Sequence, residues 1–170
     1  ALDVYQFTIV GHDWGGAVAW SVALNGQVDG FRKQWAGRVT RAMLANAPHP
    51  CIYQRILIND PVQRASAQYI RMFRDTVVDE VLEKSGLQPL LQQAMNWQKP
   101  VAMEQSEYED LIAAWRDPEV AFGMINWYRA AAMVVPALGQ LAAVPEWASN
   151  DFPKLRIPTL LIWAMEDKAL

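Results

Sequence analysis

Apolar positions follow two different rhythms along this chain. The run Phe7-Thr8-Ile9-Val10 is short, β-branched and stopped by glycine, so a strand is expected to end there. Small residues follow at 15–25, with Ala17, Ala19 and Ala23 suited to close packing on a sheet. A helix is expected over that stretch, with Gly26 as its C-cap. Positions 27–38 are polar and dotted with glycine, and read as a loop or a short helix. A second apolar strand is predicted at 39–45, stopped by Asn46-Ala47-Pro48-His49-Pro50. From about 51 to 135 helical spacing takes over and strand signal almost vanishes. Asp60-Pro61 predicts a helix start, and Ala65, Tyr69, Met72 and Phe73 carry one helix over 61–75. Further helices are expected at 87–97, at 106–115 with Ser106 and Glu109 as a capping box, and from Asp117-Pro118 to about 135. Pro136 and Pro145 punctuate a linker, and a buried-type strand is expected at 158–164.

The order is strand, helix, strand, helical block, strand. Near-continuous apolar strands imply a parallel sheet covered on both faces, so the fold class is α/β with flanking helices. The helical block reads as an insert, a lid over the strand ends. The expected division is a core at 1–50, a helical cap at 51–146 and a return to the core at 147–170.

Composition narrows the function. The 170 residues are 52% hydrophobic and 19% charged, ordinary values for a chain that can bury one core. The net charge is −3 with both signs interspersed, and no basic stripe speaks for nucleic acid. No apolar run is long enough to span a membrane, and the start lacks a basic, signal-like segment. A single cysteine, Cys51, excludes an internal disulfide and favours a reducing, cytoplasmic setting. His12, His49 and Cys51 lack ligand spacing, so neither a metal nor another cofactor is expected. The eight Trp and five Tyr suit an apolar cavity, although any single one is more readily core filler.

The stretch Gly11-His12-Asp13-Trp14-Gly15-Gly16 directly follows the first strand. A strand, a sharp glycine-rich turn and a helix push the apex residue out over the sheet end, strained and exposed. Gly11 and Gly15, two before and two after Asp13, are expected to let strand and helix approach. A carboxylate at the apex suits a nucleophile that attacks an sp³ carbon and forms an ester. Two other roles fit such a turn: a helix cap, or a phosphate cradle. The stretch lacks the Lys-Ser/Thr ending of a P-loop, and an exposed Asp would repel a phosphate.

Four motifs together resemble the α/β-hydrolase superfamily and, within it, the epoxide hydrolase family, near the haloalkane dehalogenases. They are the elbow at 11–16, Asn-Ala-Pro-His-Pro at 46–50, Asn-Trp-Tyr-Arg at 126–129 and Glu-Asp at 166–167. The resemblance covers nearly the whole chain. It implies that Asp13 is the nucleophile and Asp167 the acid that orients a catalytic histidine. It implies that Tyr128 and, by a looser match, Tyr69 hydrogen-bond the epoxide oxygen. The backbone N–H of Trp14 would form half of an oxyanion hole, and Trp127 and Phe73 would line the pocket. The implied partners are an apolar epoxide and water.

The chemistry is coherent with those roles. Epoxide opening expels an alkoxide, a poor leaving group that needs a proton or a hydrogen bond. A phenol with a pKa of about 10 stays protonated at neutral pH and can donate it. Water activated by a histidine–acid pair would then cleave the ester, its oxyanion held by backbone N–H groups. On residue type alone, Tyr128 and Tyr69 could equally be core aromatics, and Asp167 a turn residue. In this fold the base follows the acid in sequence, so His12 and His49 are expected to be structural. No histidine follows Asp167 and no His-Gly-x-Pro-like loop precedes the elbow, so an interior fragment of a longer enzyme is expected. The stretch from Gly26 to Gly37 is also longer and more polar than the family's. Two competitors remain: a haloalkane dehalogenase using Trp14 with Trp115 or Trp127 as halide donors, and a non-catalytic ligand-binding relative.

Overall fold

A computed structural model describes residues 4–27, 35–149, 153–167 and 169–170. In chain order its elements are β1 (Phe7–His12), α1 (Asp13–Gly26), β2 (Val39–Ala45), α2 (Pro50–Asn59), α3 (Pro61–Ser66) and α4 (Gln68–Arg74). A 3-10 turn (Thr76–Val78) precedes α5 (Asp79–Ser85), α6 (Gln88–Met95), α7 (Gln105–Arg116), α8 (Pro118–Ala130), α9 (Glu146–Ser149) and β3 (Thr159–Ile162). Contacts gather these into two compact units, Ala1–Gln63 with Leu141–Leu170, and Arg64–Gln140.

The first unit is built on a parallel sheet in the order β1-β2-β3. Ile9 pairs with Ala42 and Gly11 with Leu44, while Ala45 pairs with Ile162. Parallel neighbours need a crossover, and α1 supplies the one between β1 and β2. Its small residues Ala19 and Ala23 are buried against Val39, Ala42 and Leu44. Burial of residues such as Val39 and Leu44 contributes about 1.5–3 kcal/mol each. Gly26 is not a left-handed cap, since the capping residue Gln27 has φ −71°. A Cβ on Gly26 would instead sit 2.4 Å from Val39 Cγ2, so glycine is there for helix–strand approach. Gln27 closes the helix through its backbone N–H, which donates to the Ala23 carbonyl at 3.0 Å. Its side-chain amide donates to the Lys154 carbonyl at 3.0 Å and accepts from the Arg156 N–H at 2.7 Å. The rest of the polar stretch at 28–34 lies outside the described residues.

The third strand departs from expectation. It is shorter than 158–164, and Leu160, Leu161 and Ile162 are exposed rather than buried. It is an edge strand of the described sheet, paired there with β2 alone, so its apolar side chains have few neighbours. Helix α2, expected in the cap, belongs to the first unit. It packs on α9, and the Arg55 guanidinium donates to the Ala148 and Ser149 carbonyls.

The second unit is helical, around Phe73, Leu82, Leu87, Leu90, Ala121 and Ile125. The expected helix over 61–75 is two helices, broken at the fully buried Ala67, which has ψ 3°. Asp60 still caps the first of them, accepting from the Val62 N–H at 2.8 Å. The capping box of α7 lies two residues before the expected pair: the Glu107 carboxylate accepts from the Glu104 N–H at 3.2 Å. Extended backbone at Glu104 lets the helix start earlier. Helix α8 ends at Ala130, short of the expected 135, and the β-branched Val134-Val135 before Pro136 resists helix. Among the described residues no helix is long and apolar enough to cross a membrane.

Candidate active site

Strand β1 runs straight into α1, and the backbone turns at Asp13. His12 is still extended at φ −126°, whereas Asp13 has φ +51°. A non-glycine residue in the left-handed region stores strain, commonly at functional positions. The turn is possible because Gly11 has no side chain: a Cβ there would lie 2.4 Å from the Gly15 carbonyl oxygen and 2.7 Å from Ala19 Cβ. The residue that seats the helix from the other side is Gly16, where a Cβ would meet Ala47 Cβ at 2.3 Å. Gly15, expected in that role, has open space around its α-carbon. Asp13 is exposed, and Trp14 is partly buried in the first turn of α1. Helix N-termini present backbone N–H groups and favour negative charge.

Asp167 sits in the loop after β3, in the same unit. Its Oδ2 accepts from Asn46 Nδ2 at 2.5 Å, and its Oδ1 accepts from the Ala169 and Leu170 N–H groups at 2.8 and 3.2 Å. Asn46 ends β2 at φ +41° and is buried. Asn46 belongs to the motif at 46–50, but nothing local in the sequence points to a role for it. The only signal was a turn-tolerant amide between an apolar strand and a proline.

The second unit holds the two tyrosines, on α4 and α8. Their rings meet edge to face at 5.7 Å between centroids, and each also contacts Phe73, Tyr69 at 5.5 Å and Tyr128 at 5.0 Å. Phe73 itself is 1% exposed and supports both tyrosine rings from within the core. Trp127 is half exposed. Two arginines fasten the helices that carry the tyrosines. Arg74 donates to the carbonyls of Tyr128, Met133 and Ala131 at 2.8 to 2.9 Å. Arg129 donates to the Phe73 carbonyl at 3.1 Å and pairs with Asp79. Burial, with Arg71 nearby, lowers the Arg74 pKa. Composition gave no hint of either clamp.

His12 is exposed beside the elbow. His49 is buried and engaged at both nitrogens: Nδ1 accepts from the Cys51 N–H at 3.2 Å, and Nε2 lies 3.1 Å from the Pro153 carbonyl. That arrangement needs the neutral ring protonated on Nε2. Burial lowers the His49 pKa and outweighs the opposing hydrogen bond to Pro153. Burial also raises the pKa of the Cys51 thiol, against the pull of Arg55. No group of three metal-ligating side chains occurs among the described residues.

No family model matches the chain. Individual proteins do. One solved structure, described as a novel epoxide hydrolase of the α/β-hydrolase superfamily from metagenomes of hot environments, is 46% identical with a TM-score of 0.82. It matches 98% of this chain. The chain belongs to the α/β-hydrolase superfamily. Its relatives within that superfamily include AB hydrolase superfamily protein YfhM of Bacillus subtilis, 28% identical over 98% of this chain. Epoxide hydrolase 2 of Caenorhabditis elegans is 25% identical over 99% of it. An epoxide hydrolase from Bacillus megaterium, solved with its product (R)-3-[1]naphthyloxy-propane-1,2-diol, shares the fold at TM-score 0.69 and 20% identity. This hydrolase-fold chain spans about half the length of these proteins: 53% of YfhM, 43% of the nematode protein and 54% of the metagenomic one.

Proposed function

We propose that this protein opens an apolar epoxide to a vicinal diol through a covalent ester on Asp13. The observation that carries this reading is the left-handed Asp13 at a strand–helix elbow. Its carboxylate attacks an epoxide carbon, and that carbon's bond to the ring oxygen breaks as the ester C–O bond forms. Tyr69 and Tyr128 hydrogen-bond the departing oxygen, and one phenol gives up its proton. Water then attacks the ester carbonyl, with a histidine oriented by Asp167 as base and the Trp14 N–H among the oxyanion donors. His49, with both nitrogens engaged inside the fold, does not suit the task of base. Relatives named epoxide hydrolases support the substrate class.

The test uses the polypeptide as its gene encodes it, incubated with an aryl epoxide in ¹⁸O-water. In the first turnover the diol should take its new oxygen from Asp13, and the label should enter the Asp13 carboxylate instead. Asp13→Asn should abolish both ester and diol. Label appearing directly in first-turnover diol would overturn the ester route. Halide release from haloalkanes without diol formation would favour a dehalogenase.

A further inference from the structure

Asn46 is committed at every polar atom of its side chain to one loop. Its Oδ1 accepts from the Ala164 N–H at 3.0 Å, and its Nδ2 donates to Asp167 Oδ2 at 2.5 Å. Its backbone N–H donates to the Ile162 carbonyl at 3.0 Å, which fixes the end of β2 against the end of β3. With both ends of a 7% exposed carboxamide bonded, rotation of the side chain is blocked. The two oxygens of Asp167 are therefore held differently. Oδ1 is held by main-chain N–H groups of its own loop, and Oδ2 by a side chain 121 positions away. A carboxylate oxygen has two acceptor sites, so Oδ2 keeps one after the Asn46 bond.

We propose that Asn46 is a positioning residue for Asp167, setting the plane of its carboxylate so that the remaining Oδ2 site faces the N–H of the histidine base. The inference rests on the function proposed above. Its consequence falls on one half-reaction. Ester formation on Asp13 needs neither Asp167 nor the base, whereas ester hydrolysis needs both. A merely structural Asn46 would affect stability, or both steps alike.

Two substitutions test this in the gene-encoded polypeptide. Asn46→Gly deletes the amide at a backbone angle that glycine adopts readily. Asn46→Asp keeps the shape but replaces the donor with an acceptor. Quenched single-turnover mass spectrometry follows the Asp13 ester as it forms and decays. In either variant the ester should form within about twofold of the parent rate and decay about tenfold or more slowly, so that it accumulates. If the glycine variant does not fold, the aspartate variant gives the same readout. Unchanged decay, or equal slowing of both steps, would overturn the inference. A parent protein that forms neither ester nor diol would remove its premise, and that failure is visible before any variant is made.

Discussion

At the elbow, three glycines within six positions do different work. Gly11 and Gly16 face atoms that cannot move away cheaply, the Gly15 carbonyl oxygen and Ala47 Cβ, at 2.4 and 2.3 Å from an added Cβ. Gly15 faces open space. Gly11→Ala and Gly16→Ala should each destabilise the protein by about 1–3 kcal/mol in denaturant unfolding, as overpacking does. Gly15→Ala should change stability by no more than about 1 kcal/mol, and in the favourable direction, because alanine is the better helix former. The presence of an elbow was legible in the sequence, since only glycine lets a strand double back so closely onto a helix. Which glycine faced the neighbouring strand was not legible. That depends on where the helix phase meets Ala47, which is distant in sequence. Asn46 stayed silent for the same reason: its partners Ala164 and Asp167 are fixed by tertiary pairing, not by local pattern.

Elements show the same division between local and distant causes. Strands β1 and β2 and the starts of α3 and α8 were legible, because apolar runs and Asp-Pro pairs act locally. The ends were not. Helix α8 stops where Arg74 collects the carbonyls of Tyr128, Ala131 and Met133, an arrangement made by a side chain from another helix. Arg74→Lys should cost about 1–3 kcal/mol, since one ammonium cannot replace a planar fork bonded to three carbonyls. Thermal unfolding of the variant measures the loss. Helix α2 offers a pH test through His49, which accepts from the Cys51 N–H at its first turn. Burial holds the folded-state pKa of His49 below its unfolded value of about 6.5. The unfolded chain thus binds the proton first, and this contribution to stability is present above about pH 6.5 and is lost as pH falls below it. His49→Asn keeps a capping acceptor and should flatten that part of the slope, read from denaturation midpoints between pH 7 and 5.

For the whole molecule, the proposed chemistry gives the two tyrosines a step of their own. Tyr69→Phe and Tyr128→Phe each remove a hydroxyl and keep the ring that packs on Phe73. The double variant should slow ester formation by about 10²-fold or more, the usual scale of general-acid help, while ester already formed decays at the parent rate. Single-turnover kinetics separates the two. Equal slowing of both steps would place the phenols elsewhere in the mechanism.

The two units also differ in how their parts are strung along the chain. Arg64–Gln140 is one uninterrupted segment, whereas the sheet unit is assembled from Ala1–Gln63 and Leu141–Leu170. As the ribosome delivers the chain from its N-terminus, the helical segment emerges whole and can condense at once. Strands β1 and β2 must wait for β3 until everything between them has been made. The Asn46–Asp167 contact thus forms only after the helical segment has been made, and a pause in synthesis just past residue 140 would leave the Asp13 elbow built but the Asp167 loop undelivered.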